Sequence, residues 1–207
     1  LADFHGQAVG AVPLVHAVGG LRKVRDGETG YSYGNHDPST LAAAIRREFP
    51  AIVQVIGGAH ATALPEETLR RSGADYVVLG EGEQTLRELV AYCRGTRPDR
   101  PDGLAWRDGA AVTVMPRAQF IADLDGLPLP ARHLLDMEKY FAINRPHGPQ
   151  TTPRVANMIT SRGCPGTCVF CAIHGIWGKT LRARSVENVL AEIRELVQKY
   201  GVAEIQF

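Results

Sequence analysis

Apolar positions along this chain come in two alternating kinds of run. Ala51-Ile52-Val53-Gln54-Val55-Ile56 and the stretch from Asp75 to Leu79 are short, apolar and rich in β-branched residues, which predicts strands buried in a parallel sheet. Glycine ends each of them. Gly57-Gly58, followed by Ala59-His60, closes the first, and Gly80-Glu81-Gly82-Glu83 closes the second. A helical pattern follows each turn. Pro65 opens a helix running to Arg71, with Glu66 and Glu67 in its first turn, where the helix dipole favours carboxylates. From Gln84 to Cys93, the residues Leu86, Leu89, Val90 and Cys93 share one face. Upstream, Asp37-Pro38-Ser39-Thr40 starts a helix whose Leu41, Ala44, Ile45 and Phe49 keep helical spacing until Pro50 stops it. Strand, glycine turn and helix, repeated, predict an α/β domain of Rossmann-like (flavodoxin-like) type. Such domains bind ligands at the carboxyl ends of their strands, and both glycine turns fall on that edge. Glycine there makes a tight turn or lets a flat ligand approach the backbone; the pattern alone leaves both open.

Elsewhere the pattern changes. Leu1 to Gly34 is glycine-rich and weakly periodic, with a turn signal at Asp26-Gly27. Arg94 to Pro101 reads as a polar linker. Leu104–Trp106 and Val112–Met115 flank Asp108-Gly109, a hairpin signal. The run from Ala122 to Pro130 is an extended, proline-stiffened connector. Val155 to Ser161 predicts a strand. Ser185 then caps a helix with Glu187 in its first turn, an apolar face of Val186, Val189, Leu190, Ile193, Leu196, Val197 and Tyr200, and Gly201 as its stop. Val202 to Phe207 begins another strand. Strand, loop, helix, strand is the first βα unit of a βα barrel, a fold whose active sites sit at the carboxyl ends of its strands.

Composition narrows the function classes. With 44% hydrophobic and 22% charged residues among 207, the chain is large and apolar enough for one or two globular domains. A net charge of +1 gives no electrostatic case for nucleic acid. No apolar run approaches the ~20 residues that span a bilayer. Four cysteines, three of them clustered, are not a disulfide framework and point to a reducing cytoplasm. Cys93 sits on the predicted apolar helix face as a small hydrophobe.

The clustered cysteines lie in Cys164-Pro165-Gly166-Thr167-Cys168-Val169-Phe170-Cys171, spaced C-x3-C-x2-C. Thiolates are soft ligands that suit iron–sulfur clusters or zinc. Pro165 and Gly166 let the backbone turn around one centre. Three ligands would fill three corners of a four-iron cluster and leave one iron open to a substrate or cofactor. Lys179, Arg182 and Arg184 follow the loop; solvated surface charge is the favoured reading, and contact with a carboxylate or phosphate the alternative.

Thr160-Ser161-Arg162-Gly163-Cys164-Pro165, then Cys168 and Phe170-Cys171, resembles the cluster loop of radical S-adenosylmethionine (SAM) enzymes, with Phe170 in the aromatic slot. Gly57-Gly58-Ala59-His60 and Gly80-Glu81-Gly82-Glu83 resemble the cobalamin-binding domain that precedes many radical SAM barrels. The resemblance implies a [4Fe–4S] cluster on Cys164, Cys168 and Cys171, SAM on the open iron with its adenine against Phe170, and cobalamin against both glycine turns. It implies reductive cleavage of SAM to a 5′-deoxyadenosyl radical, most often for methyl transfer to an unactivated carbon. A flavodoxin- or ferredoxin-type electron donor and a small-molecule or peptide substrate are the partners it implies. Asp3 and His5 supply part of the wider cobalamin pattern D-x-H-x-x-G, but Ala8 replaces its glycine, and His5 is read as an ordinary loop residue.

Two other readings stand beside this one. One is a cobalamin-binding module without catalysis. The other is a zinc-stabilised binding protein in which His174 completes a Cys3His set; zinc ligands are usually split between two knuckles, which ranks it behind the cluster. The expected layout is a cobalamin domain over 1–100, a hairpin and connector over 101–153, and the start of a barrel over 154–207. The chain begins with Leu and ends within a predicted strand, the expectation being a piece of a longer protein.

Overall fold

In a computed structural model that describes residues 14–16, 31–33, 38–143 and 150–207, the four longest helices begin and end within two residues of where the local signals place them, and three short helices are added at 59–63, 137–143 and 174–177. In chain order the elements are β1 (Leu14–His16), β2 (Tyr31–Tyr33), α1 (Pro38–Glu48), β3 (Val55–Ile56), α2 (Ala59–Ala63), α3 (Pro65–Ser72), β4 (Tyr76–Val78) and α4 (Gly82–Cys93). There follow β5 (Leu104–Asp108), β6 (Ala111–Val114), a 3-10 turn (Arg132–Leu134), α5 (Met137–Ile143) and β7 (Val155–Asn157). The last are β8 (Ser161–Arg162), α6 (His174–Trp177), β9 (Arg182–Ala183), α7 (Val186–Tyr200) and β10 (Glu204–Gln206). Asp3, His5 and the turn at Asp26-Gly27 lie outside the described residues.

The chain divides into two compact units. One comprises residues 37–122 and 162–182, the other residues 1–36, 123–161 and 183–207. The segment that bears the cysteines thus groups with the sheet and helices of 37–122. Its two ends, β8 and β9, pair with each other.

In the cysteine-bearing unit the sheet order is β3-β4-β5-β6. β3 and β4 are parallel, whereas β5 runs antiparallel to β4 (Val77 opposite Ala105) and to β6. The hairpin expected at 104–115 therefore continues the sheet. Helices cover both faces, as doubly wound folds require. Leu69, Val77, Leu79 and Ala105 pack with Ala61 on one face; Val78 and Leu104 pack with Leu89 on the other. Pro65 opens α3, and Gly73 closes it at φ 70°, a left-handed cap that favours glycine.

Two expectations about burial fail here. The run 51–56 is not a buried strand: Ile52, Val53 and Val55 are 40, 46 and 36% exposed. Among the described residues β3 pairs only with β4, so one edge is open. The buried position in this run is Gln54, whose Nε2 donates to the Ala42 carbonyl (3.1 Å) and whose backbone N–H donates to Asp75 Oδ2 (2.7 Å). On α4 the buried positions are Thr85 and Leu89, with Tyr92 packed alongside. Cys93 lies at the helix end and is exposed, so it is no core hydrophobe.

The second unit holds a βαβ arrangement: β7 and β10 are parallel neighbours, Asn157 opposite Gln206, with α7 between them in sequence. β1 and β2 form a separate parallel pair. Ser185 caps α7, its hydroxyl accepting from the Asn188 N–H at 3.1 Å. Gly201 ends the helix at φ 61°, and its N–H bonds the Val197 carbonyl at 3.1 Å, the bond that marks an αL stop. Leu196, Ala156, Met158, Phe141 and Val202 form the core. The predicted apolar face of α7 is only partly covered: Leu196 is buried, while Val186, Leu190 and Val197 are exposed. Glu192 is buried instead, bound to Arg132 (2.6 Å) and Arg184.

Candidate functional site at the cysteine loop

The parallel pairing of β3 and β4 brings both glycine turns to one edge. Gly58 caps α2 at φ 100°, which side chains rarely adopt, and its carbonyl accepts from the Thr62 N–H (2.9 Å). The Thr62 hydroxyl accepts from the Gly80 N–H at 2.9 Å, tying the second turn to α2. Gly57, Gly58, Ala59 and His60 are exposed, open to a ligand. Gly82 opens α4.

Glu81 and Glu83 do something else. The Glu81 side chain is 2% exposed. Its Oε1 and Oε2 accept from Nη2 and Nη1 of Arg182 at 2.6 and 2.8 Å, a bidentate pair. Oε2 also accepts from the Ile121 N–H (2.8 Å), and Arg162 Nη1 lies 3.7 Å from Oε1. Glu83 Oε1 accepts from Arg162 Nη2 at 2.6 Å. The Glu81 carboxylate is therefore committed to the protein rather than offered at the edge.

The reading of the basic residues as solvated charge is corrected for two of three. Arg182 and Arg184 are 9 and 11% exposed in their side chains and each is bound to a buried glutamate; Lys179 is exposed. Arg182 also donates to the carbonyls of Ile121 (2.7 Å) and Trp177 (2.9 Å) and stacks 5.0 Å from the Phe120 ring centroid. A glutamate between two glycines, far in sequence from an arginine just past the cysteines, was the available signal, but nothing local pairs them.

The loop is held tightly at its neck and freely at its tip. Gly163 has φ 86°, and a Cβ there would stand 2.0 Å from the Thr180 carbonyl oxygen. A Cβ on Gly178, at φ 75°, would stand 2.6 Å from the Phe120 ring. Cys164 N–H donates to the Gly178 carbonyl (3.2 Å), and Arg117 donates to the Gly175 carbonyl. Helix α6 packs against α2. Beyond the neck, Cys164 is half-buried, and Cys168 and Cys171 are exposed. Phe170 is 89% exposed, available to a ligand and unused in the core.

Cys164 and Cys168 approach the same side of Gly166, where a Cβ would lie 3.4 and 3.9 Å from their sulfurs. Among the described residues no three His, Cys, Asp or Glu side chains are gathered at metal-binding distance, so the third thiol and His174 are not drawn into that set. His174 Nε2 is buried without a hydrogen-bond partner. The donor set fits an iron–sulfur cluster: three thiols on one short loop, two already convergent and the space beside them free of side chain.

A Rossmann-like domain whose ligand edge is joined to a thiol loop defines the class of protein. Residues 33–90 match the B12 binding domain and residues 158–207 the Radical SAM superfamily. The chain is a member of the radical SAM proteins that carry a cobalamin-binding domain. It is 36% identical over 178 residues to cytidylyl-2-hydroxyethylphosphonate methyltransferase of Streptomyces wedmorensis, covering 75% of this chain and 33% of that one. It is 37% identical over 183 residues to an uncharacterized methyltransferase of Pyrococcus horikoshii, covering 87% and 38%. The chain thus spans about a third of the length of these curated relatives. Among solved structures, the radical SAM methyltransferase TsrM of Kitasatospora setae, with tryptophan and a SAM analog bound, matches with a TM-score of 0.58 at 19% identity, over 99% of this chain and 38% of that one. That similarity shows the fold. No helix among the described residues is long and apolar enough to cross a membrane.

Proposed function

We propose that this chain is the cobalamin- and cluster-binding part of a radical SAM methyltransferase acting on a small molecule. The observation that carries this is the grouping of the exposed thiol loop and the open glycine edge in one compact unit. Cys164, Cys168 and Cys171 would hold a [4Fe–4S] cluster. When bound, the cluster supplies an open iron for SAM and the electron that cleaves its sulfonium C–S bond, while cobalamin carries the methyl group. The residues of the chain position and shield these groups. Exposed Phe170 stacks on the adenine of SAM. Gly57, Gly58, Ala59 and His60, with the backbone of Gly80 and Gly82, admit cobalamin to the strand edge, because residues 57–60 are exposed there.

The similarity to two methyltransferases supports methyl transfer as the reaction. An external electron donor of flavodoxin or ferredoxin type and a reducing cytoplasmic setting complete the proposal, because exposed thiolates and a cluster oxidise elsewhere. The test is cobalamin retention. The chain mixed with hydroxocobalamin should leave a desalting column with about one corrinoid bound, and Gly58→Val should lose it. A wild-type chain that emerges free of corrinoid contradicts the reading.

A further inference from the structure

We propose that Glu81 and Glu83 are positioning residues for the cysteine loop: the turn after β4 grips both ends of the segment that carries the thiols. Arg162 stands two residues before Cys164, and Arg182 closes the segment at β9. Glu81 takes Arg182 through both carboxylate oxygens at 2.6 and 2.8 Å, and Glu83 takes Arg162 at 2.6 Å. Glu81 also holds the Ile121 N–H, and Ile121 returns its carbonyl to Arg182, so carboxylate, guanidinium and one peptide unit form a closed ring of hydrogen bonds. The Glu81 and Arg182 side chains are almost wholly buried, where such a pair is screened least. The grip is directional. A guanidinium fork on a carboxylate fixes angle as well as distance.

This assigns the two glutamates a task other than cofactor contact. The same four-residue turn presents glycine backbone to the ligand edge and carboxylates to the loop. Its two carboxylates go to the arginines, while Gly80 and Gly82 stay half-buried, a Cβ on Gly80 meeting the Ile176 carbonyl oxygen at 3.7 Å and one on Gly82 meeting Val78 at 3.1 Å. A group bound at the glycines and a group bound at the cysteines are then held in a register set by two ion pairs rather than by a flexible linker. The proposal rests on the cluster-loop reading above for its relevance to catalysis, though the clamp is a property of the chain without cofactors.

The test therefore begins without cofactors. Each cysteine of the reduced chain is timed in its reaction with iodoacetamide by mass spectrometry, with exposed Cys93 on α4 as the reference. In the wild type Cys164 reacts more slowly than Cys168 and Cys171. Glu81→Ala and Arg182→Ala should each raise the Cys164 rate about tenfold relative to Cys93, and Glu83→Ala about twofold, following the strength of the lost charged bonds. Removing a carboxylate and removing a guanidinium bias thiolate formation in opposite directions. Acceleration in both variants therefore reports loosening of the loop and not a change of local charge. An unchanged Cys164 rate in either, or opposite changes in the two, overturns the clamp. Should Glu81→Ala unfold the chain, all four cysteines accelerate together, and Arg182→Lys decides: it keeps the charge and loses the fork, and an unaltered Cys164 rate there overturns the proposal. As a second readout, the electron paramagnetic resonance line shape of the reduced, iron-loaded Arg182→Lys chain should differ from that of the wild type at equal iron content. A wild-type chain that takes up no iron contradicts the cluster reading, while the alkylation rates still decide the clamp.

Discussion

Glu81 and Glu192 are both buried, and each is held by two arginines, yet they do different work. Glu192 lies in the middle of α7. Its partners are Arg132, at the 3-10 turn, and Arg184, just before the helix cap. Around it Asp125 accepts the Ser185 N–H at 2.9 Å, and Asn188 Oδ1 accepts from Arg184 Nε at 2.7 Å. The same arginines also donate to the Asn157 and Ile159 carbonyls, so the network joins the connector, the segment from β7 and the helix it braces. Glu81 lies in a turn between glycines, and its arginine closes a loop bearing exposed thiols. The two networks share one chemistry. Surroundings decide the role: Glu192 locks a βα unit together, and Glu81 aims a reactive loop.

Neither network is fully satisfied: Arg182 Nε and Arg132 Nη1 are both buried without a hydrogen-bond partner. A buried donor left unmade costs about 1–3 kcal/mol, so each network carries a similar cost beside its carboxylate bonds.

Substitutions can break each side of this comparison. The largest effect is expected at the neck of the thiol loop. Gly163→Ala forces a Cβ to 2.0 Å from a carbonyl oxygen at φ 86° and should abolish the loop geometry at a cost of about 3 kcal/mol or more; iron uptake and the Cys164 alkylation rate measure it. Next comes Glu192→Ala, which leaves two buried guanidinium groups unpaired. About 3–5 kcal/mol of stability should be lost in urea unfolding, with Cys164 reactivity in the folded state unchanged. That dissociation of stability from loop reactivity sharpens the contrast with Glu81. Ser185→Ala removes the cap of α7 and should cost about 1 kcal/mol, read as a lower urea midpoint.

The smallest effect is a pH dependence confined to the second unit. Hydrogen bonds from the Ser185 hydroxyl and N–H hold the Asp125 carboxyl below its ordinary value, Arg154 does the same for Glu138, and the Thr151 N–H and hydroxyl do so for Glu204. Carboxyls depressed in the folded state add stability above their unfolded values and lose it as pH falls through the folded ones. Acid titration should thus weaken the second unit below the ordinary carboxylate range. Asp125→Asn should flatten that slope, which circular dichroism melts at successive pH values would reveal.

Much of the fold was legible because its signals are local. Ser185 and Gly201 bracket α7, Pro65 and Gly73 bracket α3, and the hairpin turns at Gly109-Ala110, one residue past the Asp108-Gly109 signal. The cysteine spacing and Phe170 were equally plain, since the chemistry lies within eight residues. What escaped was set by partners distant in sequence. Residues 51–56 look like a buried strand, but burial depends on which edges are paired. α4 reads as a Leu86–Cys93 face; of that face Leu89 is buried, but Thr85 is turned inward beside it, bonded to the Asp102 carbonyl at 3.2 Å. The Glu81–Arg182 pair spans 101 residues, and no periodicity encodes it.

The claim that Cys164, Cys168 and Cys171 hold an iron–sulfur cluster is tested most directly by counting metal. After anaerobic reconstitution with iron and sulfide, the wild-type chain should carry about four of each, and each single Cys→Ala variant should fall well short. One zinc and no iron in the wild type would contradict the account.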